Sequence, residues 1–369
     1  MKKDMGCSCF GASIVDRKRS VARARSDMEG NLVGNINQFS YNQIKTATEN
    51  FHSSNKIGRG GFGTVYKGTL KNGRQVAVKK LSAESKQGVR EFLNETNTIS
   101  NVSHPNLVEL IGCCVEGPNR ILVYEYVENN SLDRALLGPT NMNIKLDWGK
   151  RSAICMGIAR GLMFLHEELV PHIVHRDIKA SNVLLDKDFN PKIGDFGLAK
   201  LFPDNITHIS TRIAGTTGYL APEYALGGQL TMKADVFSFG VLVLETISGR
   251  SSAKANWDGS QKFLLEWAWQ LHLEGKLLEL VDPELEEFPE EEVIRYMKVA
   301  FFCTQAAANR RPLMSQVFNM LSRKIRLNED QITAPGLFQD LGEYKKSSAD
   351  YSTYQTSSVP ATITEITPR

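Results

Sequence analysis

Long apolar runs are missing from this chain of 369 residues. No stretch approaches the roughly 18 consecutive apolar residues that cross a bilayer as a helix. The start, Met1-Lys-Lys-Asp-Met-Gly-Cys7, lacks the apolar centre of a secretory signal. The expected location is therefore the cytosol. Charge of one sign is scarce too: a formal net charge of +3 is too small to make nucleic acid the main partner. Cysteines number only six, none at zinc-ligand spacing, and a cytosolic protein keeps its thiols reduced. Cys113, Cys114, Cys155 and Cys303 read as small buried hydrophobes, whereas Cys7 and Cys9 lie in a basic tail. Internal repeats are absent, as is the G-x-x-x-x-G-K-[ST] pattern of the P-loop. What is present, 41% hydrophobic and 23% charged residues, suits a folded enzyme of two domains or two lobes.

Residues 1–38 are polar and irregular and read as a flexible basic tail, with a surplus of five positive charges within residues 1–25. Over 39–56 a helical extension is predicted: Tyr41, Ile44 and Ala47/Thr48 fall at helical spacing and Ser40 is placed as an N-cap. Residues 57–80 and 121–127 form short β-rich pieces, with Asn72-Gly73 as a hairpin turn. Helical patterns dominate past Leu146. The stretch Asp235–Ile247 is apolar almost all round, which marks a helix at the centre of a domain. Asp235 is expected to be able to cap it. Beyond about Arg326 the chain is Ser/Thr-rich and aperiodic, so 326–369 reads as a second flexible tail.

Gly58-Arg-Gly60-Gly-Phe-Gly63-Thr-Val65 supplies G-x-G-x-x-G-x-V. Three glycines let backbone N–H groups close over phosphates without Cβ interference. Dinucleotide-binding proteins use the same spacing, but there the glycines open a helix. Here a strand follows, which sets aside a nicotinamide-dependent oxidoreductase. Lys79, in Val76-Ala77-Val78-Lys79, comes 21 residues after Gly58. A lone strand lysine is usually a solvated edge charge. Flanked by inward-facing valines, it reads better as a clamp on the α- and β-phosphates. Glu95, sixteen residues on, is the preferred carboxylate to aim it, with Glu91 as the alternative.

His175-Arg176-Asp177-Ile-Lys179-Ala-Ser-Asn182 is the most informative stretch. Asp177 suits the acceptor of a hydroxyl proton, and an amide five residues later suits magnesium. Lys179 can neutralise charge building on a transferring phosphoryl group. Asp195-Phe-Gly197 follows eighteen residues after Asp177 and adds a second carboxylate for magnesium, so Asn182 and Asp195 form the metal pair. Between Asp195 and Ala221-Pro-Glu223 lie Thr207, Ser210, Thr211, Thr216 and Thr217, a hydroxyl-rich segment expected to act as a phospho-switch.

In this order and at these separations the motifs resemble the eukaryotic protein kinase family over roughly residues 51–325. The resemblance implies an α+β bilobed fold: a β-rich N-lobe with one helix over about 57–127, a helical C-lobe over about 128–325, and ATP between them with Mg2+. It further implies Tyr124 as gatekeeper, adenine received by the backbone of Glu125 and Val127, and Arg311 paired with Glu223. Ile57, Val65 and Ala77 join the nucleotide-binding set. Arg176 would offer a basic pocket to a phosphate on Thr211 or Ser210, while Thr216 would touch the catalytic loop and substrate. Lys179 places the chain with serine/threonine kinases.

Asn-Gln-Ile-Lys-Thr-Ala-Thr-Glu-Asn-Phe51, Leu-Val-Tyr-Glu-Tyr126 and Gly-Thr-Thr-Gly-Tyr-Leu-Ala-Pro-Glu-Tyr224 look like plant receptor-like kinases. The absence of an ectodomain and span points to their cytoplasmic branch. Leu-Leu-Glu-Trp-Ala-Trp269 and Phe-Cys-Thr-Gln-Ala-Ala-Ala-Asn-Arg-Arg-Pro312 are similar to the cold-responsive protein kinase group. Phe237 departs from the Tyr expected in Asp-Val-Tyr-Ser-Phe-Gly but keeps the aromatic packing. Protein substrates, an upstream receptor kinase or autophosphorylation, and a plasma-membrane surface are the implied partners. A pseudokinase is the alternative; Lys79, Asp177, Asn182 and Asp195 all speak against it. Cys7 and Cys9, followed by Arg17-Lys-Arg19, Arg23 and Arg25, are candidate acylation sites beside a basic cluster.

Overall fold

The computed structural model describes residues 36–60, 63–82, 86–138, 145–203, 206–253, 255–256, 261–336 and 362–364. Of the basic tail predicted over 1–38, residues 1–35, with Cys7 and Cys9, lie outside the described residues, but Ile36 is buried and Asn37–Gln38 pair in a sheet. Of the tail predicted over 326–369 most lies outside, but residues up to 336 pack on the C-terminal half, where Thr333 bonds Gln305.

The N-terminal half is a six-stranded sheet in the order β1-β5-β6-β4-β3-β2. Its strands are β1 (Asn37–Gln38), β2 (Lys56–Gly60), β3 (Gly63–Thr69), β4 (Gln75–Leu81), β5 (Leu110–Glu116) and β6 (Asn119–Glu125). Only β1 runs parallel to its neighbour; the rest pair antiparallel. Side chains alternate with period two. Val76, Val78, Ile121 and Val123 point to the outer face, where they pack with Ile44, so the valines beside Lys79 do not face inward as expected: alternation puts them on the side opposite Ala77 and Lys79. Leu81, Leu122 and Tyr124 point inward to the main core.

The outer face is covered by α1 (Tyr41–Ala47), whose N-cap Ser40 accepts from Gln43 N while the Gln43 side chain accepts from Ser40 N. The predicted cap and helix are therefore present. Ile44 is fully buried, worth about 2 kcal/mol by area. Tyr41 and Phe51 meet at a tilt, 5.9 Å between ring centres, and Phe51 and Tyr66 meet edge-to-face at 5.4 Å beside it. Where β1 crosses β5, a Cβ on Gly112 would come within 2.3 Å of Asn37 O and 2.5 Å of Phe39, so the overlay requires glycine. One helix of the N-lobe, α2 (Lys86–Ile99), lies on the inner side.

The C-terminal half is helical: α3 (Leu132–Leu137), α4 (Trp148–Met163), α5 (Pro222–Gly227), α6 (Met232–Ser248), α7 (Leu264–Leu273), α8 (Glu290–Cys303) and α9 (Met314–Leu321). Short strand pairs lie at the junction of the halves and along its surface: β7 (His172–Val174) with β10 (Lys200–Phe202), β8 (Val183–Leu185) with β9 (Pro191–Ile193), β11 (Ile209–Ser210) with β13 (Gln229–Leu230), β12 (Ala214–Thr216) with β16 (Thr362–Thr364), and β14 (Ala255–Asn256) with β15 (Gln261–Lys262).

The central helix is α6, buried all round as its sequence predicts. Its boundary differs from the sequence reading. Thr231 is the N-cap, accepting from Lys233 N, and Gly249 ends the helix in the left-handed region at φ 61°. Asp235 thus sits inside the helix and does not cap it. The reason is burial: a carboxylate at 0% exposure needs donors, and it takes them from another segment. The cysteines Cys113, Cys114, Cys155 and Cys303 are buried and free.

Candidate active site

Lys79 stands on β4 inside the cleft between the two halves. Its Nζ donates to Glu95 Oε1 of α2 at 2.7 Å and to Asp195 Oδ1 at 2.8 Å. Burial alone would push this ammonium down, but the two carboxylates more than reverse that and hold it well above the usual lysine range. Burial would likewise raise Asp195, yet Lys79, with help from Lys179, pulls it down to about 2. The Tyr124 hydroxyl donates to the other Glu95 oxygen. Of the two candidate carboxylates, Glu95 pairs with Lys79 and Glu91 does not. Glu91 is buried one turn earlier with no hydrogen-bond partner on either oxygen. Burial, reinforced by the Asp195 and Glu95 charges and opposed by Lys79, pushes it up to about 8.

Across the cleft, Asp177 sits in a ring of donors. Its Oδ1 accepts from the Thr216 hydroxyl at 2.7 Å, and its Oδ2 accepts from Asn182 Nδ2 at 3.0 Å and Lys179 Nζ at 2.9 Å. Lys179 also donates to Thr216 Oγ1 at 2.9 Å. Thr216 therefore touches the loop 175–182. That loop is held from below by Asp235, which accepts from His175 N at 2.7 Å, Arg176 N at 2.8 Å and His166 Nε2 at 2.9 Å. Burial would raise Asp235, but these donors keep its carboxyl below the ordinary range. Arg176 takes φ 72°, a strained value for a non-glycine residue that these bonds over-determine.

Two links join the walls. His175 Nε2 meets Gly194 O at 3.0 Å, and its ring packs edge-on against Phe196 at 4.8 Å. Asn94 of α2 donates to Gly197 O at 3.0 Å and Ala199 O at 2.6 Å. The sequence reading did not single out Asn94 and gave Asp235 a capping role; their hydrogen-bond partners reveal what they hold.

The cleft has a volume of about 200 Å³. Of the predicted nucleotide set, Val65, Ala77, Lys79, Glu125, Asn182 and Asp195 line it, and Val108, Ser181, Leu184 and Gly194 join them unpredicted. Ile57, Gly58 and Gly60 lie on β2 and Gly63 opens β3, above the lined volume. Val127 is buried just past β6. A larger cavity of about 1000 Å³ lies far away between α8 and residues 323–330, among salt-bridged side chains.

On the other flank, Arg176 donates to Leu198 O at 3.0 Å, Arg212 O at 2.8 Å and the Tyr224 hydroxyl at 2.5 Å. Lys200 Nζ donates to Thr211 Oγ1 at 3.3 Å. Arg90, Arg176, Thr211 and Arg212 line a cavity of about 390 Å³ there. Ser210 is exposed on β11. Beneath, Arg311 holds Glu223 in a bidentate pair at 2.8 and 2.8 Å, its guanidinium 5.0 Å above the Phe237 ring.

A clamp lysine between two carboxylates, facing an aspartate ringed by amide, ammonium and hydroxyl groups, is the arrangement of a phosphotransferase cleft between two lobes. Residues 51–321 match the family described as protein tyrosine and serine/threonine kinase, and the chain belongs to it. The chain is 51% identical to Cold-responsive protein kinase 1 of Arabidopsis thaliana over 92% of its own length and 87% of that protein. It is 55% identical to the probable LRR receptor-like serine/threonine-protein kinase At1g07650 of the same plant, covering 83% of the chain but 31% of the relative. At1g56140, another such receptor-like kinase, is 53% identical over 82% of the chain and 29% of the relative. The chain thus spans about a third of the length of these receptor-like relatives. It is a serine/threonine protein kinase with the bilobed fold of that family, whose members use ATP and Mg2+. No helix among the described residues is long and apolar enough to cross a membrane.

Proposed function

We propose that the cleft transfers the γ-phosphate of ATP to protein Ser or Thr hydroxyls, with Asp177 and Lys179 as its catalytic residues. The observation that carries this is the opposition of two prepared walls: Lys79 already aimed by Glu95 and Asp195, and Asp177 already held by Asn182, Lys179 and Thr216. Asp177 would take the proton from the acceptor hydroxyl. Lys179 would neutralise charge on the moving phosphoryl group, and Lys79 would fix the phosphates behind it. The backbone over Gly58, Gly60 and Gly63 would close over the phosphates, with Ile57, Val65 and Ala77 around the base and the backbone of Glu125 and Val127 at its edge.

The residues suit magnesium. Asp195 is ionised and faces the cleft, and the Asn182 amide nitrogen is engaged by Asp177, which leaves its oxygen as a hard donor. When bound, magnesium would supply charge neutralisation between the phosphates. Asp195→Ala in the full chain should fold, with an unchanged far-UV spectrum, and lose more than 95% (roughly twentyfold or more) of transfer activity. A folded variant that keeps substantial transfer overturns the assignment of Asp195.

Regulation is proposed at the flank cavity: a phosphate on Thr211, or alternatively Ser210, would replace the carbonyl partners of Arg176 with a stronger bidentate contact. An upstream receptor kinase or autophosphorylation would supply it. We also infer attachment to the plasma membrane through acylated Cys7 and Cys9 beside their basic cluster, and a role in plant stress signalling, by likeness to the cold-responsive relative. Fractionation of wild type against Cys7→Ser/Cys9→Ser tests the first of these: only wild type should sediment with membranes.

A further inference from the structure

Beyond Leu321, where α9 and the family match both end, the chain continues to Gly336 as a strap across the C-terminal half. Arg295 of α8 holds its root, donating to Met320 O at 2.6 Å and to Ile325 O. Lys298 pairs with Glu329 Oε1 at 2.6 Å. The far end is fastened to residues 304–306. Thr333 donates to Gln305 Oε1 at 2.8 Å, Gly336 N donates to Thr304 O at 3.1 Å, and Ala306 N donates to Ala334 O at 3.4 Å. Gln305 and Pro335 thus form an antiparallel bridge. A Cβ on Gly336 would meet Pro222 Cγ at 2.4 Å, so a side chain there would lift the strap or push Pro222 aside.

The loop that receives the strap carries the anchor of the segment beside the cleft. Arg311 Nε donates to Gln305 O at 2.8 Å and Nη2 donates to Ala306 O at 3.2 Å, while the same guanidinium grips Glu223. Next to Glu223 stands Tyr224, whose hydroxyl accepts from Arg176 of the loop 175–182 and from Ala214 N at 3.0 Å. Gln305 is buried, and its amide nitrogen donates to Arg310 O at 3.0 Å. Its Oε1 therefore faces Thr333 and would be orphaned without that hydroxyl.

The middle of the strap rests on little. A cavity of about 1000 Å³ separates α8 from residues 323–330 and is lined by both partners of the Lys298–Glu329 pair, whose glutamate is exposed. Such a pair contributes little to stability. Within residues 322–336 only Pro335 and Gly336 are buried. Lifting the strap would uncover little apolar surface, the property of a segment that opens locally while the core stays folded.

We propose that residues 322–336 are a releasable brace. Seated, they steady residues 304–306 and through them the Arg311–Glu223 anchor. Lifted, they loosen the segment that brings Tyr224 to Arg176, and transfer falls while the C-terminal half stays folded. The kinetic half of the test rests on the phosphotransfer reading above; the exchange half does not.

The test uses three full-length variants. Thr333→Glu sets a carboxylate against Gln305 Oε1, Gly336→Val collides with Pro222, and Thr333→Ser keeps the donor. Amide exchange at Ala306 and Tyr224 should quicken at least about threefold in the first two and match wild type in the third. Transfer to myelin basic protein should lose roughly three- to tenfold in kcat in the same two, the weight of one or two hydrogen bonds, with the KM for ATP unchanged. Their thermal midpoints should stay within roughly 3 °C of wild type. Unchanged exchange in Thr333→Glu overturns the brace, as does quickened exchange with unchanged kcat. An effect confined to Gly336→Val overturns it too, because displaced Pro222 would then be the cause. A large fall in midpoint would make the strap part of the core and not releasable. If Asp195→Ala keeps its transfer, the reading of the cleft fails, and the exchange result still decides the brace.

Discussion

The two walls of the cleft are built on opposite principles. On the lysine wall, three charges from β4, α2 and the segment after β9 meet across large separations, 16 and 116 residues apart in sequence. Such ion pairs exist only while the three elements are aligned, so this wall can be assembled or taken apart. On the aspartate wall, Asp177 is bound by residues within five positions and by Thr216, and Asp235 fixes the loop's own backbone from inside a helix. That wall is nearly self-contained and should persist when the other opens. Under the proposed function, the difference would put regulation on the first wall and chemistry on the second.

The largest expected effect tests the chemistry. Asp177→Asn keeps the shape of the ring but removes the proton acceptor, so kcat should fall about 10²–10⁴-fold with the thermal midpoint nearly unchanged. A large fall in midpoint would mean that the ring holds the lobe together and the two walls are less distinct.

Next comes Asp235→Ala. It orphans two buried N–H groups and His166, which should cost about 3 kcal/mol and lower the midpoint by roughly 6–12 °C. Glu95→Ala, on the movable wall, should lower activity strongly with a much smaller shift. Calorimetry on both variants checks the contrast.

A smaller effect is expected from Ser210→Ala/Thr211→Ala: a loss of roughly tenfold in activity, equal to that of phosphatase-treated wild type, if a phosphate steadies the lysine wall. Full activity in the double variant removes the switch from this pair.

The smallest effect concerns Glu91, the unpartnered carboxyl at the back of the lysine wall. Its folded pKa of about 8 lies above its unfolded value near 4.5, so the folded state binds the extra proton between these limits. Stability from this group is therefore lost as pH rises from about 4.5 to 8. Glu91→Gln removes the loss: the midpoint should match wild type near pH 5 and exceed it by about 2–4 °C at pH 8. Parallel thermal melts at the two values decide it, and a pH-independent difference would place the effect in packing.

Legibility followed the range of the interactions. The glycine loop, the motif of 175–182 and Asp195-Phe-Gly197 are local patterns whose residue types and spacings state their chemistry, so Lys79, Asn182 and Asp195 of the cleft could be named from the chain alone, whereas Val108, Ser181, Leu184 and Gly194 could not. Ser40 as a cap was legible for the same reason, since the cap and its partner Gln43 are three residues apart. Asp235 was misread because its role is to satisfy N–H groups 59 and 60 residues away, and a carboxylate near a helix start looks like a cap until those donors are seen.

By itself, then, the amino-acid sequence determined the class of chemistry, the order of the two lobes and several of the side chains that line the cleft, because these rest on periodicity and on side chains that few other functions combine. Between Glu95, preferred from the sequence, and Glu91, the tertiary structure shows Lys79 paired with Glu95, and only the tertiary structure decided that Asp235 braces the loop 175–182. The second is settled by which backbone the packed core brings within about 3 Å of a buried acceptor.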